Sequence, residues 1–345
     1  MAMYTGQVCD IHIHVSIPQD MDIIASRMKQ HGYAKYCLLG CGSYYPRAKG
    51  VSNVLGLLQK LRDPSVYVFA SLEHPETGTA SAESLLEQVK MYHAVGFDGV
   101  KMIEGKPNVR LRTGVPLDDA VYEPMLGFLE AHDIPVLSHV NDPRFFWDIT
   151  KMSPAQIARG WYAGPDNPSF ETVRAEALET MRRHPGLRTT FAHFFFASGS
   201  TDEADGILDR YPNVNFDLTP GTHYADMSSA RDEWRTFMMR RSNRLLFGTD
   251  NAAATSEAHT LLCRQILETA DEIEYRGVSL RCFELPEAAL ADIYAKNFDR
   301  FAGASPRPVD RERLSSYIQW TSDLMEGAQY ASDIRADLTA LNKSL

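Results

Sequence analysis

Short apolar runs rich in β-branched and aromatic residues recur along the chain, and longer stretches with apolar positions at helical spacing separate them. The runs predict eight strands, at residues 7–14, 34–40, 65–71, 97–103, 134–140, 188–194, 213–219 and 244–250. The intervening patterns predict helices at about 19–31, 50–62, 79–95, 118–132, 168–184, 203–210, 230–241 and 254–269. Ser81 near the start of the third helix, Gly96 after its end and His184-Pro185-Gly186 closing the fifth supply start and stop signals. Strict strand–helix alternation demands parallel strands joined by right-handed crossovers. Eight such units predict an α/β protein of the (β/α)8 TIM-barrel type, usually about 250 residues long. A doubly wound open sheet is the alternative, but no Gly-x-Gly-x-x-Gly follows the first strand.

Two stretches exceed what a barrel needs. The connection after the fifth strand, from Asn141 to Pro168, carries Arg144, Trp147, Trp161 and Tyr162 and reads as a lid over the barrel mouth. The tail opens at Gly303 with Pro306 and Pro308 and then runs helically, with Leu314, Ile318, Leu324 and Leu338 as its apolar positions. The expected division is therefore a barrel over residues 1–302 and a helical extension over 303–345, packed on the barrel or on a neighbouring subunit.

Charge and composition narrow the partners. The chain has 345 residues, 35 of them basic and 45 acidic, for a net charge of −10, with no basic cluster. That argues against nucleic acid, whose phosphates draw on clustered positive charge. No run approaches the 18–20 apolar residues of a membrane helix, and no signal-peptide pattern opens the chain. The five cysteines form no Cys-x-x-Cys pair, which reads as reduced thiols in the cytoplasm. A small-molecule substrate and a homodimer are the partners expected.

The chemistry concentrates at strand ends. In Asp10-Ile-His12-Ile-His14, residues two apart share a face, so His12 and His14 are expected to point into the barrel while Ile11 and Ile13 face the helices. Two imidazoles converging at the C-terminal rim form a metal-ligand arrangement, because burying both without a cation is costly. His139 ends the fifth strand, His193 the sixth and Asp250 the eighth. Each is a polar residue closing an apolar run, where barrel chemistry sits.

These residues, with the phrases GFDGVKM, RRHPGLRTTFAHF, RYPNVNFDLT and LLFGTDN, resemble the amidohydrolase superfamily over about residues 7–300. The likeness is to its second large family, that of aminocarboxymuconate semialdehyde decarboxylase and related lactone hydrolases. The resemblance implies that His12, His14, His139 and Asp250 bind one divalent metal, with His193 beside it. Zinc is the first choice for such nitrogen and oxygen ligands and manganese the alternative. Lys101, near the end of the fourth strand, could be carboxylated and bridge a second metal; the family likeness favours one metal and an unmodified lysine paired with a carboxylate or holding a substrate anion.

Arg110, Arg112 and Lys106 follow the fourth strand and Arg144 the fifth, so basic side chains on adjacent loops could clamp a carboxylate, Arg144 first among them. His223 follows the seventh strand and could line the pocket. The expected activity is hydrolysis of a small carboxylated or cyclic amide, ester or lactone by metal-activated water. Asp250 would take the water proton and His193 would help to hold the oxyanion. The alternative is a non-oxidative decarboxylase on the same site.

Overall fold

Alternating apolar segments become eight parallel strands: β1 (Val8–His14), β2 (Tyr33–Leu39), β3 (Val66–Ser71), β4 (Gly99–Gly105), β5 (Val136–Val140), β6 (Thr189–Phe191), β7 (Val214–Asp217) and β8 (Leu245–Leu246). The structure, a computed structural model, describes residues 3–42 and 50–324. Each strand pairs with the next in chain order. The ring is closed by the segment after β8. Ile11 N–H donates to Phe247 O (3.0 Å), Asp250 N–H to His12 O (2.9 Å) and His14 N–H to Asn251 O (2.8 Å). The crossover helices surround this sheet, so the fold is a TIM barrel.

Two apolar clusters follow from the two faces of the strands. The larger fills the space between sheet and helices. The smaller brings together Cys9, Ile11, Leu39, Phe69, Phe298 and Phe301 among others, and occupies the barrel interior. Phe298 and Phe301 come from the helix Asn297–Ala302, whose rings meet Tyr67 and Phe69 at 4.9 and 5.8 Å between centroids. Tyr67 Oη donates to Gly303 O (2.8 Å), so this helix plugs the lower end of the barrel.

Simple alternation along β1 is broken. Asp10 pairs with Tyr36 but Ile13 with Leu38, which leaves one extra residue on β1, a β-bulge. Ile11 therefore packs in the barrel interior, not against the helices, whereas Ile13 faces them as expected. The bulge resets the phase, so that Ile11, His12 and His14 all turn inward. Asp10 fixes it: Oδ1 accepts from His12 N–H (2.9 Å) and Thr249 N–H (3.2 Å), and Oδ2 from Thr249 Oγ1 (2.6 Å). Burial pushes the Asp10 carboxyl up to about 7.

The connection after β5 folds into 3₁₀ turns at Arg144–Trp147 and Ile149–Lys151 and a short helix, Pro154–Ala158. Phe146 is buried and stacks on Trp161 (5.7 Å), while Trp147 Nε1 donates to Pro168 O (3.1 Å). An antiparallel hairpin, β9 (Glu272–Tyr275) and β10 (Val278–Arg281), is a further addition to the barrel that the strand pattern did not predict. Beyond the barrel, the helix Arg311–Leu324 buries Leu314, Tyr317 and Ile318 against the helices Val51–Arg62 and Ala82–Val95. Leu338 and the rest of the expected helical tail lie outside the described residues. Among the described residues no helix is long and apolar enough to cross a membrane.

Candidate functional site

The C-terminal ends of β1, β4, β5, β6 and the closing segment after β8 surround a cavity of about 320 Å³. Its wall includes His12, His14, Lys101, His139, His193 and Asp250, together with Cys41 and Lys106. Seven of the residues singled out in the sequence, Lys106 included, thus meet in one place.

The nitrogen geometry is specific. His12 Nδ1 lies 2.8 Å from Asp217 Oδ2, and His14 Nδ1 lies 3.2 Å from Leu39 O and 3.1 Å from Cys41 Sγ. A carboxylate and a carbonyl accept hydrogen, so each partner holds the proton on Nδ1 and leaves a lone pair on Nε2. Those two Nε2 atoms are only 3.2 Å apart, and Asp250 Oδ1 sits 3.2 Å from His14 Nε2 and 3.7 Å from His12 Nε2. Three electron-rich atoms facing one point repel one another unless a positive charge lies between them. Lys101 Nζ is 3.4 Å from His12 Nε2 and serves one lone pair of the three. His12, His14 and Asp250 offer ligand atoms within 4.8 Å of one another. The donor set therefore fits a divalent cation.

His139 is in the same cavity but turned elsewhere. Its Nε2 lies 3.4 Å from Asp142 Oδ1, and both Asp142 oxygens accept from Lys106 Nζ at 2.6 Å. Burial alone would raise the Asp142 carboxyl, yet the Lys106 ammonium and His139 bring it down to about 2. His139 itself is held below its ordinary value, first by burial.

His193 is positioned by unusual backbone. β6 stops at Phe191, short of the expected residue 194, because His193, Phe194, Phe195 and Phe196 all take left-handed φ (54°, 59°, 55° and 47°). Such residues cost about 1–2 kcal/mol each. The buried phenylalanines offset this at about 1.5–3 kcal/mol apiece: Phe195 stacks on Phe191 (4.1 Å), and Phe194 packs between Phe216 and Trp234. His193 N–H donates to Asp217 Oδ1 (2.7 Å), and its Nδ1 is buried without a partner among the described residues. Burial, then the nearby His139, pushes the ring down to about 3, so it stays neutral. Asp250 also has a left-handed φ of 55°. Burial alone would raise its carboxyl, but contact with His14 and His12 holds it well below the carboxylate range.

Other residues singled out in the sequence lie away from this cavity. Arg110 is buried in a pair with Glu176 (3.0 Å). Arg144 pairs with Glu171 and lies over the Phe170 ring, its Cζ 3.9 Å from the centroid. It lines a separate pocket of about 790 Å³ beneath the lid. His223 is fully buried against Phe194 and Tyr224. Sequence reasoning missed Asp217, whose only signal was an acid closing an apolar strand, and Cys41, whose loop carries no motif.

A family model described as amidohydrolase matches residues 58–301. The chain belongs to that family. No curated protein matches it. An uncharacterised TIM-barrel protein of Bordetella bronchiseptica is similar in fold, at 14% identity and TM-score 0.57 over 86% of this chain and 100% of its own. The 2,6-dihydroxybenzoate decarboxylase of Rhizobium is similar at 15% identity and TM-score 0.55, over 86% of this chain and 99% of its own. A dihydroxybenzoic acid decarboxylase of Polaromonas, solved with bound manganese, is similar at 16% identity and TM-score 0.52, over 86% and 97%. This amidohydrolase barrel is thus of a metal-dependent enzyme family, and it carries a His-His-Asp cluster suited to a metal.

Proposed function

We propose that this amidohydrolase is a metal-dependent hydrolase of a small carboxylated or cyclic amide, ester or lactone. The observation that carries the reading is the convergence of His12 Nε2, His14 Nε2 and Asp250 Oδ1 on one point. These three would hold the metal, zinc before manganese, with His139 the fourth candidate. A divalent cation there supplies Lewis acidity toward water and a carbonyl oxygen. The chain's own residues do the rest. Asp250, kept ionised by the two histidines, accepts a proton from water and returns it to the leaving group. His193, neutral and with Nδ1 unpartnered among the described residues, offers a hydrogen bond to the substrate oxygen. Lys101 makes the wall attractive to a carboxylate.

Loss of carbon dioxide from a carboxylated substrate is the second reading. Lys101 supports it, as does the activity named for the Rhizobium and Polaromonas barrels. Elemental analysis of His12→Ala and His14→Ala tests the site: both should lose the metal while the far-ultraviolet dichroism of the barrel persists. Full metal content in both variants would remove β1 as the anchor. A screen of lactones, amides and aromatic acids then separates the reactions by whether carbon dioxide appears. With the substrate so found, Asp250→Asn should lower turnover by about 10²–10⁴.

A further inference from the structure

The pocket beneath the lid, at about 790 Å³, is more than twice the size of the metal cavity and within the range of small-molecule sites. One aromatic side chain of the outer wall reaches the inner one. Phe196 lines the larger pocket, and its ring lies 5.8 Å from that of His193 and 6.3 Å from that of His139, both on the inner cavity wall. A substrate reacting at the inner cavity and extending past Phe196 enters the outer one.

Of the three cations on the outer wall, two are paired locally. Lys151 is answered by Asp148 at 3.2 Å, and Arg144 by Glu171. Asp226 accepts from Ser198 Oγ (2.6 Å), and burial raises its carboxyl. Arg276 is different. No carboxylate among the described residues lies within ion-pair distance, and its recorded polar contact is Nε to Tyr275 Oη at 3.2 Å. It stands at the tip of the β9–β10 hairpin, in a two-residue turn where Arg276 and Gly277 both take left-handed φ (51° and 83°). Asn or Gly is the usual first residue of such a turn, so an arginine there runs against local preference. The tip is anchored: buried Tyr275 donates from Oη to Gly221 O (2.8 Å), next to Thr222 and the short helix His223–Met227, which supplies Asp226 to the pocket.

We propose that the outer pocket is the distal half of the substrate site and that Arg276 receives a second carboxylate there, remote from the reacting group. The substrate class is thereby narrowed to dianionic acids. This rests on the reading of the inner cavity as the metal-dependent reaction site. The guanidinium fork suits a carboxylate through two parallel hydrogen bonds, which an ammonium cannot reproduce.

Titration calorimetry on the full chain loaded with manganese tests this, with benzoate as the one-carboxylate probe and terephthalate and its longer biphenyl analogue as the two-carboxylate probes. At least one diacid should bind about tenfold or more tighter than benzoate, the scale of one charge-assisted contact. Arg276→Gln should erase that margin and leave benzoate binding unchanged; Arg276→Lys should keep part of it. Equal binding of benzoate and both diacids, a margin that survives in Arg276→Gln, or no binding of either class to manganese-loaded protein would each overturn the proposal while leaving the metal site standing. Failure to retain manganese at all, measured on the same samples, would instead show that the underlying reading of the inner cavity is wrong, and the proposal would fall with it.

Discussion

Asp217 ties His12 to His193. One oxygen of its fully buried carboxylate lies 2.8 Å from His12 Nδ1, and the other accepts the backbone N–H of His193 at 2.7 Å. Asp217→Asn keeps the size but replaces one acceptor by a donor, so either the His12 proton or the His193 amide loses its partner. Metal affinity should fall about 10–100-fold, the usual cost of disturbing the carboxylate behind a ligating histidine. Competition with a chelator measures it; an unchanged affinity would mean that His12 is oriented by β1 alone.

Gly248 leaves no room for a side chain beside the same histidine. A Cβ there would sit 2.9 Å from His12 Cβ and press on Thr219. Gly248→Ala should therefore displace His12, destabilise the fold by about 1–3 kcal/mol as overpacking does, and weaken metal binding. Denaturant unfolding and metal titration of one sample would check both effects.

His223 should make the fold sensitive to acid. Its ring is fully buried with neither nitrogen partnered among the described residues, and burial lowers it from about 6.5 to about 3. Below pH 6.5 the unfolded chain takes up a proton that the folded ring refuses until about pH 3. The stabilisation is therefore complete above that window and falls as pH drops through it, by up to about 1.4 kcal/mol per pH unit. His223→Phe should be less sensitive by that slope. Unfolding free energies of the two proteins measured from neutral pH down to about 4 should converge or cross; parallel curves would show that the ring is solvated.

Arg276→Asn should stabilise the protein. Asparagine tolerates the left-handed turn position better than arginine, a gain of about 0.5–1 kcal/mol. Equilibrium unfolding would register the gain. A loss of stability would mean that the arginine supports the hairpin rather than straining it.

The barrel was legible because eight apolar runs alternate with helical patterns, and four of those runs, the first, fifth, sixth and eighth, close on a histidine or an aspartate. His12, His14, His139, His193 and Asp250 follow from that single regularity, and all five line the cavity. What period alone could not show was local backbone. The bulge at Asp10 to Ile13 adds one residue without altering the pattern of side chains, so Ile11 was assigned to the wrong face. His193 and Phe194 read as the end of the sixth strand because aromatic residues favour extended structure, yet packing holds them, with Phe195 and Phe196, in a left-handed turn. The hairpin at Glu272–Arg281 carries Arg-Gly in place of the usual Asn-Gly signal. Arg110 and Arg144 illustrate the remaining gap: charge on a loop is visible in sequence, but the partners Glu176 and Glu171, supplied from the helix Phe170–Arg183, are not.

The helix Asn297–Ala302 also has a bearing on the order of assembly during synthesis. The floor beneath Tyr67 and Phe69 consists of Phe298 and Phe301, and β1 bonds to residues 247 and 251. Within the barrel, β1 thus waits for nearly the last residue before its inner face is covered and its edge is paired. A nascent chain stopped after the fifth strand would present open edges and an unsealed interior, the kind of surface that recruits chaperones or aggregates. With contacts this distant along the chain, closure is expected to be slow and to occur only after residue 303 has been released.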